Sequence, residues 1–130
     1  YHRIHAPCSG KVVETDHLPG RVYPVNEFGL TFMRRVLSRN ERLVTYIRHE
    51  RGELAVVKVG ALNVSSIRYV GGRPPQSLAR GDELAYFEFG STVVLLTENG
   101  TLEPRPDLKA GDSVKMGERL GTIIERSRTP

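Results

Sequence analysis

Glycine and proline punctuate this chain so densely that few windows keep apolar residues at helical spacing long enough for a stable helix. Thirteen glycines and eight prolines cut its 130 residues into short apolar pieces bounded by turn residues. Such pieces fold as short strands, so the sequence predicts a mainly β fold with little helix, a barrel or sandwich of short antiparallel strands. The strands expected are Lys11 to Glu14, Leu43 to Arg48, Leu54 to Val59, Val64 to Val70, Leu84 to Phe89, Thr92 to Thr97 and Leu120 to Glu125. "HERGEL" and "TENGTL" read as turns, and Asn99-Gly100 in the second is the strongest short hairpin signal. "GGRPPQSLARGDE" reads as a loop, and the stretch from Leu30 to Leu37 fits either one or two helical turns or an ordered loop.

The length suits a single domain, residues 1–130, large enough to bury about two thirds of its unfolded surface without staples. The single cysteine, Cys8, excludes an internal disulfide framework and reads as a small buried hydrophobe. A formal charge of +4 suits contact with anionic lipid heads or nucleic acid, and equally a plain solvated surface. No run of about eighteen apolar residues is present. The first residue, Tyr1, opens directly into the dense segment "YHRIHAP", which reads as part of a longer protein. "LARGDELAYFEFG" and "LKAGDSVKMGERLG" share a Gly-Asp turn, an echo found in barrel-sandwich carrier domains. The carriers' modified lysine has no convincing counterpart, Lys115 beside Met116 being the nearest approach.

"FEFGSTVVLL", residues 87–96, contains an interruption: Gly90 weakens a strand and Ser91 sets a hydroxyl where packing favours carbon. It is a bulge or a working group. The spacing is not the Gly-x-Ser-x-Gly elbow of hydrolases. A Gly-Ser junction in a strained turn offers instead attack by the serine oxygen on the preceding carbonyl, which a glycine leaves unshielded. An ester then replaces the amide, and elimination followed by hydrolysis leaves a pyruvoyl group at the new amino end. The histidines to weigh against this are His2 and His5, three residues apart, since His17 and His49 read as solvated surface. Imidazole can move a proton at either of two steps, so the pair suits acid and base work as well as a structural role. No cluster at metal spacing accompanies them, so no metal is expected.

"YHRIHAPCSG", "HLPGRVYPVN", "RNERLV", "VKVGALNVSSI" and "FEFGSTVVLL" follow one another with sensible gaps, and together they resemble the catalytic portion of the phosphatidylserine decarboxylase family. The resemblance runs from Tyr1 to about Leu96. It implies that Ser91 becomes the pyruvoyl prosthetic group and that Gly90-Ser91 is the self-cleavage site, dividing a β-chain part, 1–90, from an α-chain part, 91–130. It further implies that His5 is the base for self-cleavage and that His2 handles a proton in decarboxylation. The family's charge-relay aspartate belongs to a segment upstream of "YHRIHAP", and a second aspartate that relatives place directly before the tyrosine is outside these residues too. Ser65 stands where relatives often have glycine.

The chemistry so implied forms a Schiff base between the substrate's serine amine and the pyruvoyl ketone, with the adjacent amide carbonyl taking up the electrons as carbon dioxide leaves. Pyridoxal phosphate is not needed, and no lysine reads as a persuasive Schiff-base former. The implied partners are phosphatidylserine, an anionic membrane surface and the α and β chains themselves. The resemblance allows a homodimer and leaves no part for nucleic acid. The implied place is peripheral, on the cytoplasmic face of a cell membrane. Phe28, Leu30, Phe32 and Met33, with Arg34 and Arg35 behind them, fit either the lipid interface or the core. Two other readings stand beside this one: a decarboxylase of the same fold acting on another amino compound, and a non-catalytic β-barrel module binding nucleic acid.

Overall fold

The structure is a computed structural model that describes residues 3–18, 40–62, 67–87 and 92–125. Among them ten strands follow in order: β1 (Arg3–His5), β2 (Gly10–Leu18), β3 (Asn40–His49), β4 (Gly52–Leu62), β5 (Ile67–Tyr69), β6 (Ser77–Leu78), β7 (Glu83–Phe87), β8 (Thr92–Thr97), β9 (Leu102–Pro104) and β10 (Gly121–Ile123). The mainly β expectation holds. The strands pair antiparallel in three sheets, β6-β2-β3-β4-β8, β1-β7-β5 and β9-β10, and among the described residues no sheet closes into a barrel.

The β3–β4 hairpin is the frame. Residues of a strand alternate between faces, so Leu43, Thr45 and Ile47 share one face with Leu54, Val56 and Lys58, while Val44 shares the other with Ala55, Val57 and Val59. Both faces are buried, which is why the two segments read as near-continuous apolar runs. The three-stranded sheet covers the first face. Ile4 of β1, Ile67 of β5 and Leu84, Ala85 and Phe87 of β7 form one core cluster with Leu43, Ile47, Leu54 and Val56. Cys8 and Leu78 join it, so Cys8 is the small buried hydrophobe expected, and desolvation pushes its thiol pKa up against the opposing charge of Arg80. At Gly10 a Cβ would overlap the Arg48 carbonyl, so β2 meets β3 at a separation only glycine permits.

Several boundaries differ from expectation for physical reasons. β2, β3 and β4 run longer than their apolar cores, because ladder hydrogen bonds carry a strand through polar residues as readily as through apolar ones. The expected strand from Val64 is confined among the described residues to Ile67–Tyr69, since Val70 enters a 3-10 turn in which Gly71 takes φ +83°. The last expected strand shortens to Gly121–Ile123. β1, β6 and β9 are too short to show a period, and β6 lies inside the expected loop, where it pairs with β2 and buries Leu78. Asn99-Gly100 does form a turn, but its flanking strands enter different sheets, β8 with β4 and β9 with β10. Thr101 explains this divergence: its amide and hydroxyl both donate to the Glu98 carbonyl, and its own carbonyl accepts from Ile124, which draws the chain towards β10. The stretch Leu30 to Leu37 and the Phe28 to Arg35 cluster lie outside the described residues.

The Gly-Asp echo is a structural repeat of one turn. In Ala79–Asp82 the Asp82 amide donates to the Ala79 carbonyl (3.0 Å) and the Ala79 amide donates to the Asp82 carboxylate (2.8 Å). Lys109–Asp112 repeats both bonds at 3.1 and 2.8 Å, and each turn has its glycine at positive φ, +92° and +90°. This is a type II turn, for which glycine at the third position is the natural choice.

Candidate active site

β1 is held at its end by the first of these turns. The Ala6 amide donates to the Asp82 carbonyl and the Gly81 amide donates to the Ala6 carbonyl, both at 2.8 Å. Between Ile4 and His5 the register with β7 shifts, from Ile4 opposite Ala85 to His5 opposite Glu83. Such an irregularity re-aims a side chain. The His5 ring then lies with Nδ1 2.8 Å from the Gly81 carbonyl oxygen. A carbonyl only accepts, so Nδ1 carries the hydrogen and the basic lone pair is on Nε2. A backbone carbonyl thus fixes the tautomer of His5.

His2, Gly90 and Ser91 lie outside the described residues. What is described is where the chain enters and leaves them. His2 is bonded to Arg3, which pairs with Tyr86 and stacks its guanidinium 5.2 Å from that ring. Gly90 and Ser91 fall between Phe87, the last residue of β7, and Thr92, the first of β8. These strands belong to different sheets, so the junction is a crossing from one sheet to the other. On one flank β7 is gripped by β1 and β5, and on the other β8 is gripped by β4, with Thr92 opposite Val59 and Val93 opposite Lys58.

Lys58 is the residue that sequence reasoning missed. It is completely buried, and Nζ donates to Thr45 Oγ1 (2.7 Å) and to the Val56 carbonyl (3.0 Å) while lying 5.7 Å from the Tyr69 ring centroid. Desolvation lowers its pKa from 10.5 to about 7. The signal was in the sequence: a lone lysine inside the otherwise apolar stretch "AVVKVGAL". Burial also raises the Tyr69 phenol, against the lowering effect of hydrogen bonds with Thr45 and Thr15.

The remaining candidates stand apart. His17 is exposed on β2, and His49 is half-buried at the β3–β4 turn, where Nδ1 accepts the Arg51 amide. Lys115 and Met116 are exposed at a further turn, closed by the Glu118 amide on the Lys115 carbonyl. A cleft of about 290 Å³ lined by Glu103, Arg105, Arg119 and Thr122 contains none of the expected site residues. Among the described residues no group of three or more His, Cys, Asp or Glu comes together, and no helix is long and apolar enough to cross a membrane.

Comparison with known proteins extends over nearly the whole chain. A family profile described as phosphatidylserine decarboxylase matches residues 1–122. The phosphatidylserine decarboxylase proenzyme of Geobacillus kaustophilus (strain HTA426) is 46% identical over 125 residues, covering 96% of this chain and 47% of the relative. Its namesake in Bacillus thuringiensis (strain Al Hakam) is 43% identical over 124 residues, covering 95% and 47%. The chain therefore spans about half the length of the curated relatives it matches. No solved structure matches it.

Proposed function

Because the chain belongs to the phosphatidylserine decarboxylase family, we propose that it is the β-rich catalytic portion of a carboxy-lyase that converts phosphatidylserine to phosphatidylethanolamine, using a pyruvoyl group made by self-cleavage at Gly90-Ser91. The match through residues 1–122 carries this reading, since one relationship takes in both the histidine segment and the Gly-Ser junction. The relatives' designation as proenzymes supports a precursor that is cut.

The ladders are compatible with the cut. The pairings of β7 are with β1 and β5, and β8 is held along Leu54 to Val59 of β4, so breaking the peptide bond between Gly90 and Ser91 severs no described strand pairing. An α-chain part, 91–130, would stay bound to the β-chain part, 1–90, through β8. A pyruvoyl group at position 91 would therefore be bonded to a strand already anchored by its partner. When present, the group supplies a ketone for the substrate's amine and a sink for the electrons released with carbon dioxide.

In this reading the hydroxyl oxygen of Ser91 bonds to the Gly90 carbonyl carbon as the amide C–N bond breaks, and Nε2 of His5 takes the hydroxyl proton and passes it to the departing Ser91 nitrogen, which becomes an amine. The tautomer set by Gly81 supports that role, because it leaves the lone pair on the nitrogen that must accept. His2 delivers the proton that replaces carbon dioxide on the substrate carbon. Substrate reaches the site from an anionic membrane surface on the cytoplasmic side, to which a chain of charge +4 is suited.

Intact-mass analysis of the full-length protein tests the reading. Two chains are expected, the second beginning at position 91, lacking an amino group and resisting Edman degradation. Ser91→Ala is expected to remain one chain without activity. A wild-type protein that stays whole and ignores carbonyl reagents sinks the proposal. His2→Ala is expected to split normally and to turn over about 10²–10⁴-fold more slowly; loss of splitting in that variant would reverse the roles given to the two histidines.

A further inference from the structure

We propose that Lys58 is a positioning residue for the Gly90-Ser91 junction: through Thr45 and Tyr69 it braces the strand that holds β8 against the strand that holds β7, and so fixes the gap the scissile bond must span. The inference rests on the self-cleavage reading above.

The brace is continuous in the structure. Nζ of Lys58 on β4 donates to Thr45 Oγ1 on β3, and Thr45 Oγ1 lies 2.7 Å from the Tyr69 hydroxyl on β5. Three strands of two sheets are thereby joined by side chains in the middle of an apolar interface. β4 is the ladder partner of β8, and β5 is a ladder partner of β7. These are the two strands between which Gly90 and Ser91 are strung.

A purely structural account does not explain the lysine. Apart from Thr45 its face is built of Leu43, Ile47, Leu54 and Val56, and a methionine would fill the position without the cost of burying an amine. Among the described residues the groups facing it are Thr45 of β3, Tyr69 of β5 and its register partners Leu43 of β3 and Val93 of β8. None of these is a carboxylate; of its two hydrogen bonds one goes to the Val56 carbonyl of its own strand and the other to Thr45, which carries the brace. A hydrogen-bonded link fixes direction as well as distance, which apolar contact does not. Self-attack needs both, because an oxygen misplaced by about 1 Å loses most of the benefit of intramolecular reaction.

The test follows the first-order splitting of the full-length protein by intact mass, together with its thermal midpoint. Thr45→Val removes the central link at nearly constant shape, Tyr69→Phe removes the hydroxyl and keeps the ring, and Lys58→Met removes the amine. We expect Thr45→Val and Tyr69→Phe to fold with midpoints near wild type yet to split about tenfold or more slowly, and Thr45→Ser to restore the wild-type rate. If Lys58→Met does not fold, the other two variants decide. A wild-type protein that splits while folded Thr45→Val and Tyr69→Phe split at its rate overturns the inference alone; a wild-type protein that never splits overturns the self-cleavage reading and the inference with it.

Discussion

β7 and β8 follow one another in sequence, yet they hold opposite positions. β7 is the centre of its sheet, with Leu84 and Ala85 at 1% and 0% exposure. β8 is the edge of a larger sheet, and Val93, Leu95 and Leu96 are 40%, 39% and 47% exposed. Hydropathy ranks them the wrong way round, since the exposed "TVVLLT" is the more apolar of the two and the charged glutamate is in "ELAYF"; the number of partner strands among the described residues is what separates them. The difference lies across the proposed cut. The side of the junction that would become a carboxyl end is gripped on both edges, while the side that would carry the reactive group is held, among the described residues, by one ladder.

The sharpest way to break this comparison is at the centre of β7. Leu84→Ala should cost about 2–5 kcal/mol, read from denaturant midpoints, because it empties space in a core that spans both sheets. A loss below about 1 kcal/mol would put Leu84 outside that core.

Next comes the ladder that holds β8. Burial sets the Lys58 amine at about 7 in the folded chain, against 10.5 ordinarily. Between those values the unfolded chain binds a proton that the folded chain does not. Stability should therefore rise with pH across that window, by up to about 1.4 kcal/mol per pH unit from this group, with no contribution to the slope below about 7. Lys58→Met should flatten that rise. An unchanged slope in the variant would mean that Lys58 keeps its proton, and hence that solvent reaches it.

The repeated turn gives a matched pair of smaller effects, one on each side of the junction. Gly81→Ala and Gly111→Ala both place a Cβ at φ near +90° with open space around it, so each should cost about 1 kcal/mol. Only Gly81 offers its carbonyl to His5. Self-cleavage should slow in the first variant and stay at the wild-type rate in the second, a difference that thermal midpoints alone would not reveal. Equal rates would detach His5 from the turn that orients it.

What could be read in the sequence divides along the same physical line. Thr92–Thr97 was bounded correctly and the interiors of β3 and β4 were found, because runs of β-branched and aliphatic residues between turn signals have few other ways to fold. Which strand is central and which is an edge was not legible, since it depends on pairing across the chain. Nor was the tie between His5 and Gly81, whose residues are 76 apart. The Gly-Asp turns were visible as an echo because their hydrogen bonds are local. Lys58 was visible as a letter and not as a site: strand alternation puts it on a face, but only the fold shows that Thr45 and Tyr69 meet it there.

The smallest effect sharpens the comparison most. Leu96→Ala removes as much carbon as Leu84→Ala, but nearly half of Leu96 is already in contact with solvent and its strand has one neighbour. The expected loss is about 0.5 kcal/mol or less, measured by denaturant midpoint in the 130-residue chain. The same pair of substitutions in the full-length protein then reports on the edge itself. An unprotected apolar edge strand without charge or proline is a surface that proteins normally cover. If Leu96→Ala costs as much as Leu84→Ala there, and little in the 130-residue chain, β8 is an edge only in isolation, and the reactive end is held by more than one ladder.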